Sequence, residues 1–173
     1  MQLDYQIVLD DLIAFNLYHA GTSKRSRRSF RFTLAWIVFC ILVVALLWPN
    51  WSTLERVVYF VVFSLIWLIG YSIYYGWAIK SHTRKLYSES ENKGLIGEHT
   101  MVIDPEGVTE RSVVGESKTT WSGIEKIVHD DKYIYLYIGS LQAHVIPKRA
   151  FQNPDDAETF LQLAQAYRLA RVE

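Results

Sequence analysis

The sequence predicts an α+β membrane protein, in which a two-helix transmembrane hairpin precedes a small antiparallel β domain that is closed by a C-terminal helix. Two uncharged apolar segments, 32–48 and 57–79, lie close together in the chain. From residue 95 the apolar side chains alternate with a period of two, which is typical of strands. After residue 153 they return at helical spacing. These three observations together indicate the class.

The first 29 residues are predicted to form a strand and then an amphipathic helix. Apolar and polar residues alternate over residues 3–9, which favours a half-buried strand. Asp10 is expected to cap the helix and Gly21 to end it. This helix either lies on a membrane surface or packs against the C-terminal domain.

The hairpin is assigned to residues 30–80, with spans at about 30–48 and 57–79. A hydrocarbon core about 30 Å thick needs roughly 20 apolar helical residues. Both segments approach that length, the first by starting at Phe30. Buried helices of a soluble protein normally carry a polar stripe, which these segments lack. A transmembrane hairpin is therefore the favoured interpretation.

Basic residues near the hairpin predict its orientation. They flank the pair of spans on its outer sides, whereas the connecting segment has only Arg56 beside Glu55. The flanking residues are Lys24, Arg25, Arg27, Arg28, Arg31, Lys80, Arg84, Lys85 and Lys93. Because basic residues near span ends are retained in the cytoplasm, both termini are expected there and residues 49–56 outside.

The spans are interpreted as an anchor, because their cores contain no ionisable group of the kind that proton and ion pathways use. Ser72 and Gly76 form a small-xxx-small pair that would allow helix pairing, although plain packing within the hairpin is the favoured interpretation. Cys40 lies in the first span, has no second cysteine to bond with, and is interpreted as a small apolar residue.

Residues 81–94 are predicted to end the second helix and form a linker, and residues 95–173 to form the β domain. The predicted strands are 98–103, 108–114, 118–121, 124–129, 133–138 and 141–146. The strand 133–138 is bulky on both faces, so it is expected to be central. Asn153 and Pro154 should begin the last helix. Six or seven antiparallel strands and one helix fit the pleckstrin-homology-like (PH-like) plan, but periodicity alone leaves other small α+β domains open.

The order of several short motifs resembles the YcxB-like proteins of bacteria. The motifs are 15–19, the two apolar segments, the run from Gly97 to Gly107, Trp121 with Ile124, and 146–151 (Ile-Pro-Lys-Arg-Ala-Phe). The resemblance implies a membrane protein whose C-terminal domain is similar to bacterial PH-like domains. It implies no reaction and assigns no functional residues.

No catalytic residue, metal ligand or cofactor is expected. The five histidines are scattered, and no two have the i, i+4 spacing of a helical metal site. They are interpreted as solvated or strand-face side chains: His19, His82, His99, His129 and His144. Asp130 and Asp131 are interpreted as turn residues rather than a catalytic pair.

Two basic groups are candidate anion or lipid contacts. Lys148 and Arg149 precede a helix and either bind an anion or form a solvated bend, which is the favoured reading. Arg25, Arg27 and Arg28 either set the topology or contact anionic lipid. The remaining motif residues are expected to be structural: Trp121, Ile146, Pro147 and Phe151.

The favoured function is a non-enzymatic protein of the bacterial inner membrane that presents its PH-like domain at the cytoplasmic face for protein interaction or regulation. The alternative is a module that senses lipid or a small ligand, and an enzyme with an unrecognised site is a third reading. The expected partners are membrane lipids and either another protein or further copies of this chain. Nucleic acid is not expected, because the chain after Lys80 is slightly acidic.

Reporter fusions test the orientation. The distribution of basic residues places Glu173 in the cytoplasm and residues 49–56 outside. A reporter that works only in the cytoplasm should therefore be active when joined after Glu173. A reporter that works only outside should be active when inserted between Pro49 and Arg56. The opposite pattern would contradict the whole arrangement.

Overall fold

A computed structural model of the chain describes residues 1–88 and 94–170. The described residues divide into two compact units. The β unit contains residues 1–15 and those from Thr83 onward, and the helical unit contains Asn16–His82. The chain therefore starts in the β unit, passes through the helical unit and returns.

The helices and strands follow in a simple order along the chain. They are β1 (Gln2–Ile7), α1 (Leu9–Thr22), α2 (Lys24–Leu47), α3 (Thr53–Ser88), β2 (Gly97–Asp104), β3 (Gly107–Ser112), β4 (Gly115–Thr120), β5 (Lys126–His129), β6 (Tyr133–Tyr137), β7 (Ala143–Pro147) and α4 (Pro154–Leu169).

The seven strands form two antiparallel sheets, ordered β1-β2-β3-β4 and β5-β6-β7. The N-terminal strand is thus the outer strand of the first sheet, where Tyr5 lies opposite His99. All five residues of β6 are buried, which confirms the prediction of a central strand. The sequence-based prediction of an α+β class with an antiparallel β domain and a final helix is confirmed.

Several predicted boundaries are corrected by the structure. The predicted strands 108–114 and 118–121 leave the turn between them to residues 115–117, but it lies at residues 113–114. Ser112 pairs with Gly115, whose φ of 147° suits glycine. Trp121 follows β4 in a short 3₁₀ turn rather than ending the strand. The second apolar helix continues to Ser88, eight residues into the predicted linker, and residues 89–93 of that linker lie outside the described residues.

Residues 104–107 form the turn between the predicted strands 98–103 and 108–114. The Asp104 side chain accepts hydrogen bonds from the backbone N–H groups of Glu106 at 2.7 Å and Gly107 at 3.0 Å. A Cβ atom at Gly107 would overlap the carbonyl oxygen of Thr119, so the close approach of β3 and β4 requires glycine there.

Aromatic side chains fill the core between the sheets and α4. Trp121 is fully buried, its ring lies 5.7 Å from that of Tyr167, and its indole N–H donates to the Asp104 carbonyl oxygen at 2.7 Å. Phe151 contacts Phe160 with ring centroids 5.5 Å apart. Burial of such large rings supplies much of the free energy of folding of a small domain.

The first half of α1 belongs to this core. Leu12, Ile13 and Phe15 are buried, and the Phe15 ring lies 5.6 Å from that of Tyr135 and 5.8 Å from that of Tyr137. Of the two locations left open for this helix, packing against the C-terminal domain is therefore correct for residues 9–15.

Asp11, and not Asp10, stabilises the start of α1. Its carboxylate accepts the backbone N–H of Val8 at 2.8 Å, whereas Asp10 is exposed at the second helical position. The prediction that Asp10 caps this helix is wrong, since the neighbouring residue Asp11 supplies the carboxylate. The local sequence pattern does not show that Asp11 is buried.

Asp11 also anchors the start of the chain to the C-terminal half. Both guanidinium nitrogens of Arg149 donate to its two oxygens at 2.7 Å, and the Tyr133 hydroxyl donates at 2.9 Å. A third hydrogen bond from Arg149 reaches the Gln6 carbonyl oxygen at 3.0 Å. Asp11 is only 1% exposed. Each of its two carboxylate oxygens accepts two hydrogen bonds, which stabilise the buried charge.

The helical unit is an antiparallel hairpin of α2 and α3. At one end Ser26 hydrogen-bonds Tyr75 at 2.7 Å, and the Phe30 ring lies 4.8 Å from that of Tyr75. At the other end the Arg56 guanidinium donates to carbonyl oxygens at the C-terminus of α2, those of Ala45 at 3.1 Å, Trp48 at 3.0 Å and Leu46. Arg56 thereby pairs with carbonyls that helical bonding leaves open.

Both hairpin helices are long and apolar enough to cross a membrane, by length and composition. Their most apolar windows are 6% and 0% buried. The helices instead expose large apolar side chains such as Phe32, Leu47 and Ile73. An exposed apolar surface of this size is what lipid-facing helices present and what the core helix of a soluble protein does not.

Replacing Asp11 tests how strongly the N-terminal segment is held. Asp11→Ala removes the acceptor of the Val8 N–H, the Tyr133 hydroxyl and Arg149. It should lower the free energy of unfolding by about 3 kcal/mol, or roughly 10 °C in melting temperature. Circular dichroism of the detergent-solubilised chain would measure this. Asp10→Ala, an exposed neighbour, should cost less than about 1 kcal/mol; equal losses would contradict the assignment.

Candidate functional site

The first sheet has two edge strands, β1 and β4, and the edge formed by β4 is unpaired in the described residues. β4 pairs with β3, and within residues 1–88 and 94–170 no strand pairs with its other side. Five of its six residues are exposed. A free strand edge offers unpaired N–H and C=O groups to another chain, which is one common mode of peptide recognition.

The turn between β3 and β4 carries two exposed apolar side chains. Val113 is 86% exposed and Val114 is 71% exposed. Two-residue turns usually hold Gly, Asn or Asp, which suit the backbone and are polar. A pair of exposed valines beside an open strand edge is therefore an unusual surface, here called the β4 surface (residues 113–120).

Behind the β4 surface lies a buried polar cluster around Glu110 of β3. One carboxylate oxygen accepts hydrogen bonds from the Tyr5 hydroxyl at 2.6 Å and from Nδ1 of His99 at 3.0 Å. The other accepts from Nδ1 of His144 at 2.6 Å. Nε2 of His144 lies 3.4 Å from the Thr119 hydroxyl. The cluster joins both sheets, since His144 belongs to β7.

The cluster holds Glu110 in its charged form. Burial raises the pKa of this carboxyl group, but the hydrogen bonds from His144 and His99 outweigh it and hold the pKa well below its ordinary value of 4.5. Burial, with Glu110 beside it, raises the pKa of Tyr5. Tyr5 is therefore a neutral donor to a negative carboxylate.

Two of the five histidines meet the strand-face alternative of the prediction and not the solvated one. His99 and His144 are strand-face residues, but they are 6% and 5% exposed, and both serve Glu110. In the described residues Nε2 of His99 is buried without a hydrogen-bond partner, which suits the tautomer that carries its proton on Nδ1. His82 and His129 are exposed, as the solvated reading expects.

The sequence contained little signal for this cluster. Its members come from five strands, and none is near another in the chain except through strand pairing. The one usable hint was Glu110 at an inward position of an alternating strand, where a carboxylate needs partners.

The candidate anion residues Lys148 and Arg149 have different surroundings. Arg149 is already paired with Asp11. Burial opposes the ionised form of Asp11, yet the bonds from Arg149, Val8 and Tyr133 hold its pKa below the ordinary value. Lys148 borders a cavity of about 430 Å³, together with Asp131 and Glu158. Two acidic neighbours make this cavity a poor anion site. Lys148 and Arg149 lie in a short 3₁₀ turn, and their role as an anion contact stays a prediction.

The basic residues before the first span lie on α2 and are exposed. Arg27 and Arg28 border one groove, and Arg25 does not. Farther along the hairpin, the Ser72 hydroxyl donates to the Leu68 carbonyl oxygen at 2.7 Å, and a Cβ at Gly76 would meet no atom within 4 Å. Helix pairing through these two residues stays a prediction.

The motif residues expected to be structural are in the interior. Trp121 and Ile146 are fully buried, Phe151 is 9% exposed and Pro147 ends β7 in a buried position. Asp130 acts as a turn residue, since its carboxylate accepts the backbone N–H groups of Lys132 and Tyr133 at 2.8 Å. Among the described residues, no group of three or more His, Cys, Asp or Glu side chains could hold a metal ion.

The fold and site define an α+β protein with a β unit built from both ends of the chain and two apolar helices long enough to cross a membrane. Residues 103–164, from the end of β2 into α4, match the family model described as YcxB-like protein, so the chain carries a YcxB-like domain. The resemblance seen in the sequence is confirmed over these residues. No curated protein and no solved structure matches the chain.

The Glu110 cluster has a pH signature. Glu110→Gln should destabilise the β unit by on the order of 3 kcal/mol at pH 7. Because the folded-state pKa of Glu110 is depressed, its contribution is present above the ordinary pKa of 4.5 and is lost as the pH falls further. Thermal melts from pH 7 to pH 3 should therefore show the difference between variant and parent narrowing below about pH 4.5.

Glu116→Gln is the matched control, since the Glu116 side chain is 51% exposed and pairs with Arg111 at the surface. Its effect should stay below about 1 kcal/mol at every pH. If the difference in melting temperature between Glu110→Gln and the parent protein stayed constant with pH, this would contradict the proposal that Glu110 is charged in the folded protein.

Proposed function

We propose that the protein is a non-enzymatic anchor of the bacterial inner membrane, whose hairpin holds a PH-like domain at the cytoplasmic face for interaction with another protein. The observation that carries this proposal is the β4 surface, an open strand edge beside two exposed valines. The YcxB-like domain and the two possible membrane-spanning helices supply the setting.

Strand pairing supports the proposed topology independently of the basic residues. β1 precedes the two apolar helices, β2 follows them, and the two strands are paired in one sheet. If the helices cross a membrane, both flanking segments must lie on the same side of it. An even number of crossings meets that requirement, and the basic flanks then select the cytoplasmic side.

The PH-like assignment is supported by the arrangement of the strands. A four-stranded and a three-stranded antiparallel sheet closed by a C-terminal helix matches the plan expected from the sequence. Fold alone does not define a ligand. The interaction role therefore depends on the β4 surface.

The Glu110 cluster would keep this surface rigid. Glu110 and Thr119 connect β3 and β4 to β7 across the interior. A preorganised edge loses less conformational entropy when a partner strand is added. The partner would supply a strand with an apolar residue placed against Val113 and Val114.

The alternative function, sensing of a lipid or small ligand by the C-terminal domain, has weaker support. Arg149 is occupied by Asp11, and Lys148 borders a cavity with two acidic residues. Neither the proposed protein interaction nor the sensing of a ligand requires a catalytic site.

Site-specific photocrosslinking tests the interaction role. A photoreactive amino acid at Val114 should give a discrete protein adduct in native membranes, because this side chain is at the centre of the proposed contact. The same group at Leu141, which is also 71% exposed but lies in the loop between β6 and β7, is the control and should give none.

Val113→Ser with Val114→Ser should abolish the adduct formed from a crosslinker at Ser117, while the melting temperature stays unchanged. An adduct of twice the chain mass would identify the partner as a second copy. Equal labelling from Val114 and Leu141, or none from either, would contradict the proposal.

A further inference from the structure

The N-terminal turns of α2 present a basic face. Lys24, Arg27, Arg28 and Arg31 follow the spacing i, i+3, i+4 and i+7, which places them on one side of the helix. All four side chains are exposed, and they border a single groove of about 690 Å³. Arg25 is equally exposed but lies outside that groove.

Among the described residues, no carboxylate compensates the charge of this face. The sequence contains no Asp or Glu between Asp11 and Glu55. In the part of the chain that the structure describes, none of the four basic side chains takes part in an ion pair. Four neighbouring cations without an anion constitute a surface complementary to a phosphate group.

The same groove becomes apolar along the helix. Phe32 and Ala35, one and two turns beyond Arg28, form its remaining wall. A second cavity of about 370 Å³ adjoins it, bordered by Arg27 and Arg31 and by the rings of Phe30 and Tyr75. The two arginines therefore lie between a basic surface and an aromatic one.

We propose that this face of α2 binds an anionic phospholipid. Arg27, Arg31 and their basic neighbours hold the phosphodiester, and the acyl chains pass along Phe32 and Ala35 or beside Phe30 and Tyr75. The face that precedes an apolar span is where headgroup phosphates meet protein, and clusters of basic residues there recognise anionic lipid. This inference rests on the proposed insertion of the hairpin but not on the proposed protein partner.

The joined basic and apolar walls select a lipid over free phosphate. Inorganic phosphate would use only the charged part of the groove, and no buried side chain encloses it there. A phospholipid also covers the exposed ring of Phe32, so its apolar chains add binding free energy that a small anion lacks.

Native mass spectrometry of the full chain in detergent tests the proposal. Phosphatidylglycerol should remain bound in preference to phosphatidylcholine with the same acyl chains. Arg27→Gln with Arg31→Gln should weaken phosphatidylglycerol binding by about tenfold or more. Arg25→Gln removes an exposed charge from the same helix outside the groove, and should change binding by less than about twofold.

Each result has a definite meaning. Equal weakening by Arg25→Gln would overturn the groove in favour of general charge attraction, and equal binding of the two lipids would overturn anionic selectivity. Displacement of phosphatidylglycerol by millimolar inorganic phosphate would overturn the lipid assignment. Unchanged circular dichroism confirms that the variants fold. Reporter fusions test membrane insertion of the hairpin separately from lipid binding by α2. If the fusions show the expected topology but the two lipids bind equally, only the lipid proposal is contradicted.

Discussion

The buried carboxylate of Asp11 is the interaction on which the architecture depends. It receives Arg149, Tyr133 and the backbone of Val8, so residues from the two ends of the chain converge on one charge. A charge that is 1% exposed is tolerated only with such partners. Once Asp11 is held, β1 is positioned beside β2 and the first half of α1 covers Tyr135 and Tyr137.

This constraint gives the apolar hairpin a particular role. The hairpin is an insertion between two parts of one β unit rather than an appendage at one end of it. Its connecting turn is stabilised by Arg56 on the open carbonyls of α2, and its opposite end by Ser26 and Tyr75. The hairpin is therefore linked to the fold of the β unit, because separating β1 from β2 would remove a strand of the first sheet.

Local sequence patterns predicted the helices and strands better than they predicted the contacts between buried polar side chains. Alternation located the strands, and the bulky faces of residues 133–137 correctly indicated a central strand. The polar groups were less well predicted where their partners are distant: Asp10 was chosen as the cap in place of Asp11, and the strand-face histidines His99 and His144 were not connected with Glu110. In each case the deciding contact joins segments far apart in sequence, which periodicity does not report.

The sequence by itself determined the two apolar helices, the strands along the chain, the closing helix and the basic run before the first span. Each of these follows from local patterns of charge and hydrophobicity. Only the tertiary structure decided that β1 completes the first sheet, that Arg149 serves Asp11, and that Glu110 joins both sheets. The same holds for the groove that includes Arg27 and excludes Arg25. These features arise from which surfaces meet in space, and burial of a charge is affordable only where such meetings supply its partners.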